Sequence, residues 1–332
     1  MEVKIMKRSF AFVLCLILAF SLVFAGCGTA EEPATLKFGM GVYTGTPATT
    51  DATADKDGSG KLDVTVAAIT VDANGKIVAC ALDTASNTVN FTAAGKAVAA
   101  AEFKTKYEMG KDYNMVAYGQ AKAEWFEQAD AFEKLVAGKT LDEVKALVAA
   151  ENKGNDEVIN AGCTIMIHEF VGAIEKAYNN AADSNVTADH TLKVTAATEQ
   201  TCTDATADKD GSNKVATTVF AAAVDADGKV VAAASDCVEL AFTFNTKGVS
   251  TLDTTKAVVS KKEAGDNYGM VAHGNAAKEW YAQAAAFDAA CIGKTASEIA
   301  GLMGADGKGV ADLQAAGCTI YVSGFVKAAS KI

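Results

Sequence analysis

Proline and histidine are scarce in this sequence, and the Cys-x-x-Cys pattern is absent. The 332 residues include two prolines and three histidines, while 50% are hydrophobic and 21% are charged. This composition excludes a disordered chain and indicates a globular one, long enough for two ordinary domains. The histidines take different places in the two halves of an internal duplication, so neither a metal centre nor a histidine-based triad is implied. Without Cys-x-x-Cys, a zinc site or a dithiol redox motif has no support.

Basic residues are also fewer than acidic ones. The formal net charge is −11, and residues 1–26 contribute a net +2, so the remainder of the chain is near −13. Nucleic acids and anionic lipid headgroups attract basic surfaces. The acidic balance therefore argues against nucleic acids and anionic lipid headgroups as partners of the folded part.

A basic segment and an uncharged apolar stretch open the chain, over residues 1–8 and 9–24. Ala25 and Gly26 then precede Cys27. The pattern predicts a secretory signal over 1–26 and resembles the lipobox of bacterial lipoproteins, in which Cys27 would be acylated. Residues 27–35 would form a lipidated tether on the outer face of the cell membrane. The alternatives are a non-lipidated signal peptide and a single membrane anchor, for which the stretch is short.

The rest of the chain is an internal duplication. Residues 50–59 recur unchanged at 203–212, and Ala-Gly-Cys-Thr-Ile closes each copy at 161–165 and 316–320. A repeat of this length is a domain rather than a solenoid unit. We therefore predict one domain over 36–180 and a homologous one over 181–332.

Each copy has the same order of local patterns. Asn74-Gly75 and its counterpart Asp227-Gly228 predict a two-residue hairpin between strands whose apolar residues occupy both faces. A further strand is predicted around Phe91, and a helix begins near Trp125. Two capping boxes, at 140–143 and 295–298, predict another helix in each copy. Strands followed by helices indicate an α+β class with an antiparallel sheet.

The cysteines do not follow the duplication. Beyond Cys27, only Cys163 and Cys318 correspond between the copies. This favours small apolar fillers over disulfide partners, although an exported protein permits disulfides.

The repeated Ala-Gly-Cys-Thr motif is the first candidate site. Gly162 and Gly317 permit close approach of the backbone to a bulky group, and Thr164 and Thr319 would stand at the entrance of an apolar helix. Free N–H groups and the helix dipole favour an anion at such a place. The alternative is an ordinary threonine N-cap.

A second candidate is the aromatic segment ahead of the predicted helix, which is kept in both copies. A planar, largely apolar ligand suits such walls, while the alternative is that these side chains belong to the core. The side chains are Tyr113, Met115 and Trp125 in the first copy, and Tyr268, Met270 and Trp280 in the second.

Ala-Gly-Cys-Thr is similar to the Ser/Thr-Gly-Ala-Ser/Thr motif of FMN-binding domains, found in the flavin subunits of sodium-pumping quinone reductases and Rnf complexes. The lipobox with two such motifs resembles the flavinylated lipoproteins of Gram-positive extracellular electron transfer. The resemblance implies two FMN groups, joined by phosphoesters to Thr164 and Thr319 by a flavin transferase. Cys163 and Cys318 replace the family's alanine, Ala161 and Ala316 its first hydroxyl, and the usual upstream aspartate is missing.

The expected function is that of a membrane-anchored extracytoplasmic electron carrier, with ferric reductase activity as a possible enzymatic aspect. Its expected partners are a quinone-linked electron donor in the membrane and an extracellular acceptor such as ferric iron. Two alternatives stand beside it: a two-domain solute-binding lipoprotein with a pocket between its domains, and an adhesive surface protein without a small ligand.

Overall fold

Two antiparallel β-sheets lie face to face at the centre of this computed structural model, which describes residues 34–332. The first sheet has the strand order β5-β4-β3-β1-β6, with β2 paired to β3, and the second has the order β7-β8-β9. The strands are β1 Leu36–Thr44, β2 Ala48–Thr50, β3 Gly58–Val71, β4 Ile77–Phe91, β5 Ala97–Val98, β6 Ala182–Val186, β7 Thr191–Thr203, β8 Gly211–Val224 and β9 Val230–Phe244.

Eleven α-helices over the described residues accompany these sheets, which agrees with the predicted α+β class. They are α1 Lys106–Met109, α2 Trp125–Val136, α3 Leu141–Lys145, α4 Asp156–Ala161, α5 His168–Asn179, α6 Lys261–Ala264, α7 Met270–Gly274, α8 Trp280–Cys291, α9 Ala296–Ala300, α10 Ala311–Ala315 and α11 Ser323–Ala329. Short 3₁₀ segments cover Gly110–Tyr113, Ala150–Asn152 and Gly265–Tyr268.

Several local predictions are confirmed. The Trp-led helices begin at Trp125 and Trp280, and the capping boxes at Thr140 and Thr295 have both of their reciprocal hydrogen bonds. The hairpin at Asn74-Gly75 is present, but five residues, 72–76, separate its strands. Asp72 stabilises this longer loop, because its Oδ1 accepts the N–H groups of Asn74 and Lys76, both at 2.8 Å.

The predicted further strand around Phe91 is wrong as a separate element. Phe91 is the last residue of β4, a 15-residue strand that pairs with β3 from end to end. The equivalent strand β9 has the same length and ends at Phe244. The polar residues in the middle of each strand do not break it, because they still alternate between the two faces of the sheet.

Residues on opposite faces of one strand belong to different cores. Val64 and Val66 of β3 pack against the second sheet, while Ala67 and Ile69 pack under α2 and α5. In the second copy, Phe220 packs under α8 and α11 in the same way. The molecule therefore has four layers, helices–sheet–sheet–helices, and the strands are covered on both sides as predicted. On the inner side, each sheet is covered by the sheet of the other copy.

Polar contacts also join the two copies. Asn87 Nδ2 donates to Thr217 Oγ1 at 2.7 Å in the centre of the sheet interface. At the edges, Lys176 pairs with Glu263 at 2.8 Å, and the equivalent Lys331 pairs with Glu108 at 2.6 Å. Residues 34–332 accordingly form one compact unit.

The strand β6 crosses the sequence boundary between the copies. Its residues 182–186 follow the first copy along the chain, yet they pair antiparallel with β1 in the first sheet. The predicted signal sequence, Cys27 and most of the tether lie outside the described residues.

Candidate functional site: two threonines held by buried glutamines

Each Ala-Gly-Cys-Thr motif lies where a short helix ends. Gly162 follows α4 and has φ = 106°, and Gly317 stands just after α10 with φ = 105°. Such a left-handed conformation favours glycine and reverses the chain after a helix. The amide of the next residue closes the turn: Cys163 N–H donates to Val158 O, and Cys318 N–H donates to Leu313 O, both at 3.1 Å. The glycines are therefore required by the helix end.

The expectation that Thr164 and Thr319 stand at a helix entrance is wrong. The helices α5 and α11 begin at His168 and Ser323, and their N-caps are Ile167 and Val322. The intervening residues form short extended pairings instead, with Met166 bridged to Lys153 and Tyr321 to Lys308. The site is therefore neither an anion-binding helix N-terminus nor a threonine N-cap.

A glutamine from the Trp-led helix holds each threonine. Gln128 Oε1 accepts the backbone N–H of Thr164 at 2.8 Å and its hydroxyl at 2.9 Å. Gln283 Oε1 accepts the same two groups of Thr319 at 2.9 and 3.0 Å. Both glutamines are only 1% exposed, whereas both threonines are exposed.

The amide of each glutamine is fixed at its other end. Gln128 Nε2 donates to Ala123 O at 2.9 Å, and Gln283 Nε2 donates to Lys278 O at 3.0 Å. The amide orientation is therefore defined by the network, with the carbonyl oxygen toward the threonine. The hydroxyl proton is therefore directed to Oε1, and Oγ1 keeps its lone pairs as acceptors.

The neighbouring thiols are shielded. Cys163 and Cys318 are both 0% exposed, and burial raises the pKa of each thiol to about 11. The thiolate is the reactive form of cysteine. In each motif the exposed threonine hydroxyl is therefore the group that a reagent in solution can reach.

The predicted Tyr-x-Met segment meets the same helix. The carboxylate of Glu124 caps α2 and accepts the N–H groups of Met115 at 2.9 Å and Val116 at 3.2 Å. In the second copy Glu279 accepts those of Met270 and Val271, both at 2.9 Å. Glu124 and Gln128 lie one turn apart on α2, so the segment and Thr164 are brought to the same end of that helix.

The tryptophans lie in the core. Trp125 and Trp280 are 3% and 4% exposed and pack on Phe170 and Phe325 respectively. Their role as walls of a cofactor site stays a prediction, and their contribution to the core is established.

In each copy one lysine lies over both the tryptophan ring and the ring of the tyrosine in the Tyr-x-Met segment. Lys106 Nζ lies 5.5 Å from the Trp125 ring and 5.4 Å from the Tyr113 ring. Lys261 lies 5.6 Å from Trp280 and 4.9 Å from Tyr268. Tyr113 and Tyr268 are thus fixed near the start of the Trp-led helices by cation–π contacts.

Carboxyl groups at matching positions form a second feature that the two copies share, and the sequence did not predict it. Burial raises the pKa of Glu133 to about 8 and that of Asp83 to about 7. In the second copy burial raises the pKa of Asp288 to about 6, and raises that of Asp236 as well. Glu133 Oε1 accepts the N–H of Leu82 at 2.7 Å, so this side chain joins α2 to β4.

A cleft of about 870 Å³ lies between the two copies. Phe38, Met40 and Val42 form an apolar wall, and Asp288 and Lys262 contribute charged groups. Neither Thr164 nor Thr319 lines this cleft.

Two features are absent from residues 34–332. In that range no group of three or more His, Cys, Asp or Glu side chains could hold a metal ion. The described helices include none that is long and apolar enough to cross a membrane.

Comparisons with protein-family models, with curated proteins and with solved structures find no match to this chain.

Proposed function

We propose that the protein is an exported, lipid-anchored electron carrier with two homologous FMN-binding domains, and that FMN is joined by phosphoesters to Thr164 and Thr319. The observation that carries this proposal is the repeated pair of hydrogen bonds from each threonine to a buried glutamine. An exposed hydroxyl needs no such support for stability, since water could satisfy it equally well. Its identical placement in both copies favours a chemical role.

The residues around each threonine fit an attached flavin in three respects. The hydroxyl is exposed and oriented, and the adjacent thiol is buried. Large apolar side chains are also exposed beside each motif: Met166 is 59% exposed and Tyr321 67% exposed, each two residues after the threonine. Val116 and Val271, at 46% and 48%, lie in the segments bound by Glu124 and Glu279. Exposed apolar surface of this kind suits a planar aromatic ring.

The chain's own residues would have defined tasks in this function. When bound, FMN supplies the redox chemistry, and the protein supplies attachment and position. Gln128 and Gln283 hold the threonine backbone and hydroxyl. Cys163 and Cys318 fill the space behind it without competing as nucleophiles. The lipid on Cys27 would keep the carrier at the membrane that holds a quinone-linked donor.

Covalent loading tests the proposal directly. The chain is co-expressed with a flavin transferase in a compartment that supplies FAD and Mg²⁺, then denatured, and bound flavin is located by peptide mapping. Two FMN groups are expected, on Thr164 and Thr319. Thr164→Val and Thr319→Val should each remove one, because valine keeps the β-branched shape without the hydroxyl.

The exposed Thr246 provides a matched control. Thr246→Val should leave both flavins in place. Covalent flavin on the double variant, or none on the parent beside an active transferase, would refute the electron-carrier function.

A second candidate is a solute-binding lipoprotein, favoured by the cleft of about 870 Å³ between the copies. Ligand pockets of proteins commonly have volumes of about 300–1,000 Å³ with a few polar groups on an apolar wall. This function predicts a colourless denatured protein whose melting temperature rises with a specific solute. Replacing Met40 by a larger side chain, Met40→Trp, should fill part of the cleft and abolish that rise.

A further inference from the structure

The two threonine motifs lie in different electrostatic surroundings. In the second copy Lys278 Nζ donates to Ala316 O at 3.3 Å. A Cβ built on Gly317 would lie 2.2 Å from the same Nζ, so this ammonium group covers the open face of the glycine. Thr319 follows two residues later. A positive charge therefore lies directly against the second motif.

The first copy has no cation at that place. Its lysine stands one position earlier in the sequence, as Lys122, and Ala123 takes the position of Lys278. The atom nearest to a Cβ built on Gly162 is Ala131 Cβ, at 3.8 Å. Because the lysine of the first copy lies one residue earlier, its ammonium group does not cover the glycine of the first motif as Lys278 covers Gly317.

The helix beside the first motif also adds negative charge. An open depression of about 520 Å³ next to Ala161 is lined by Glu127, Asp130 and Lys134 of α2. The equivalent residues of α8 are Ala282, Ala285 and Ala289, so that copy has none of these charges. The three charged side chains of this depression sum to −1, whereas Lys278 contributes +1 beside the second motif.

We infer that Thr319 is the preferred acceptor of the phosphate-linked group and that Thr164 is modified more slowly. The inference rests on the proposed function. In the transfer, the threonine Oγ1 forms a bond to the phosphorus of the flavin phosphate of FAD, and the bond from that phosphorus to the bridging oxygen breaks. AMP leaves, and the hydroxyl proton passes to a base of the transferase.

The preference follows from the charge of the reactants. The donor is a dianionic pyrophosphate and the product is a phosphodiester anion, so a nearby ammonium group stabilises both and nearby carboxylates oppose both. Lys278, Glu127 and Lys134 are exposed and Asp130 is half-buried. Charges at the surface contribute little free energy each, so we expect a rate ratio of about two- to fivefold. Salt screens such interactions, so the ratio should approach one at high ionic strength.

A time course of modification measures this ratio. The purified parent chain is incubated with transferase, FAD and Mg²⁺, samples are quenched, and the Thr164 and Thr319 peptides are quantified by mass spectrometry. We expect Thr319 to lead at low salt by about two- to fivefold, and the lead to shrink as salt is added.

Two register-shift variants provide matched controls, because each keeps the net charge. Lys278→Ala with Ala277→Lys moves the second lysine to the first copy's position and should remove most of the lead. Lys122→Ala with Ala123→Lys does the converse and should speed Thr164. The salt series on the parent requires no variant, so it still tests the inference if a variant folds poorly.

The outcomes separate this inference from the function on which it rests. Equal rates at low salt, or a lead that the lysine shifts and salt leave unchanged, would overturn the preference while both flavins still load. Failure of both threonines to react would overturn the proposed function and the preference together.

Discussion

Phe91→Ala tests whether the two copies unfold as one unit. The Phe91 ring is 0% exposed and belongs to the first copy, yet it stacks on Phe244 of the second with 4.7 Å between centroids. It also meets Phe242 edge-on at 6.0 Å. Removing a buried phenyl group costs about 3–5 kcal/mol of unfolding free energy. With an m value of about 3 kcal/mol/M, the urea midpoint should fall by about 1–1.7 M.

The two tryptophans make the assay specific for each copy. Trp125 lies in the first and Trp280 in the second, and the sequence has no other tryptophan. Trp280→Phe leaves a reporter in the first copy, and Trp125→Phe leaves one in the second. If the shared core joins the copies, Phe91→Ala should lower the midpoint seen by both reporters by the same amount, each relative to its own single-tryptophan parent.

A control and a refuting result complete the test. Tyr118 is 84% exposed, so Tyr118→Ala should leave both midpoints in place. A midpoint that moves only for the Trp125 reporter would show independent unfolding and would refute the shared-core reasoning.

Three further predictions concern the site, the buried acids and the anchor. Gln128→Leu leaves the backbone N–H of Thr164 and the carbonyl of Ala123 without their partners, so it should cost about 1–3 kcal/mol in urea unfolding and reduce flavin on Thr164 but not on Thr319. Unchanged stability and loading would contradict the role of this glutamine. Burial raises the pKa of Glu133 to about 8, so the folded chain keeps a proton that the unfolded chain releases near pH 4.3. This group therefore lowers the unfolding free energy as pH rises from about 4.3 to 8, by at most about 1.4 kcal/mol per pH unit, and Glu133→Gln should flatten that slope in urea titrations at several pH values. Cys27→Ser should abolish acylation and lipoprotein-type cleavage, and unchanged membrane retention and processing would rule out the lipobox.

Local patterns predicted much of the secondary structure. The apolar pattern at Trp125 predicted the start of α2, and the capping box at Thr140 predicted the start of α3. These signals are contained within one helix, so neighbouring residues are sufficient to specify them. The apolar residues on both faces of β3 likewise predicted cover on two sides.

The predictions that were wrong or missing concern contacts between residues far apart in the sequence. Gln128 lies 36 residues before Thr164, and no periodic pattern connects them. The available signal was a single polar residue on the apolar face of the Trp-led helix, repeated as Gln283. The start of α5 was misplaced because Met166 pairs with Lys153, and such a bridge has no local signature.

The four-layer arrangement has a consequence for how the two flavins would be used. Thr164 belongs to the helical layer of one copy and Thr319 to that of the other, with both sheets between them. Packed sheets lie about 10 Å apart, and part of a helical layer adds to this on each side. The two flavins would then be too far apart for fast electron transfer from one to the other within the molecule. Each flavin would exchange electrons with neighbouring molecules. Electron transfer along a layer of membrane-tethered chains would therefore depend on collisions between flavins of different molecules.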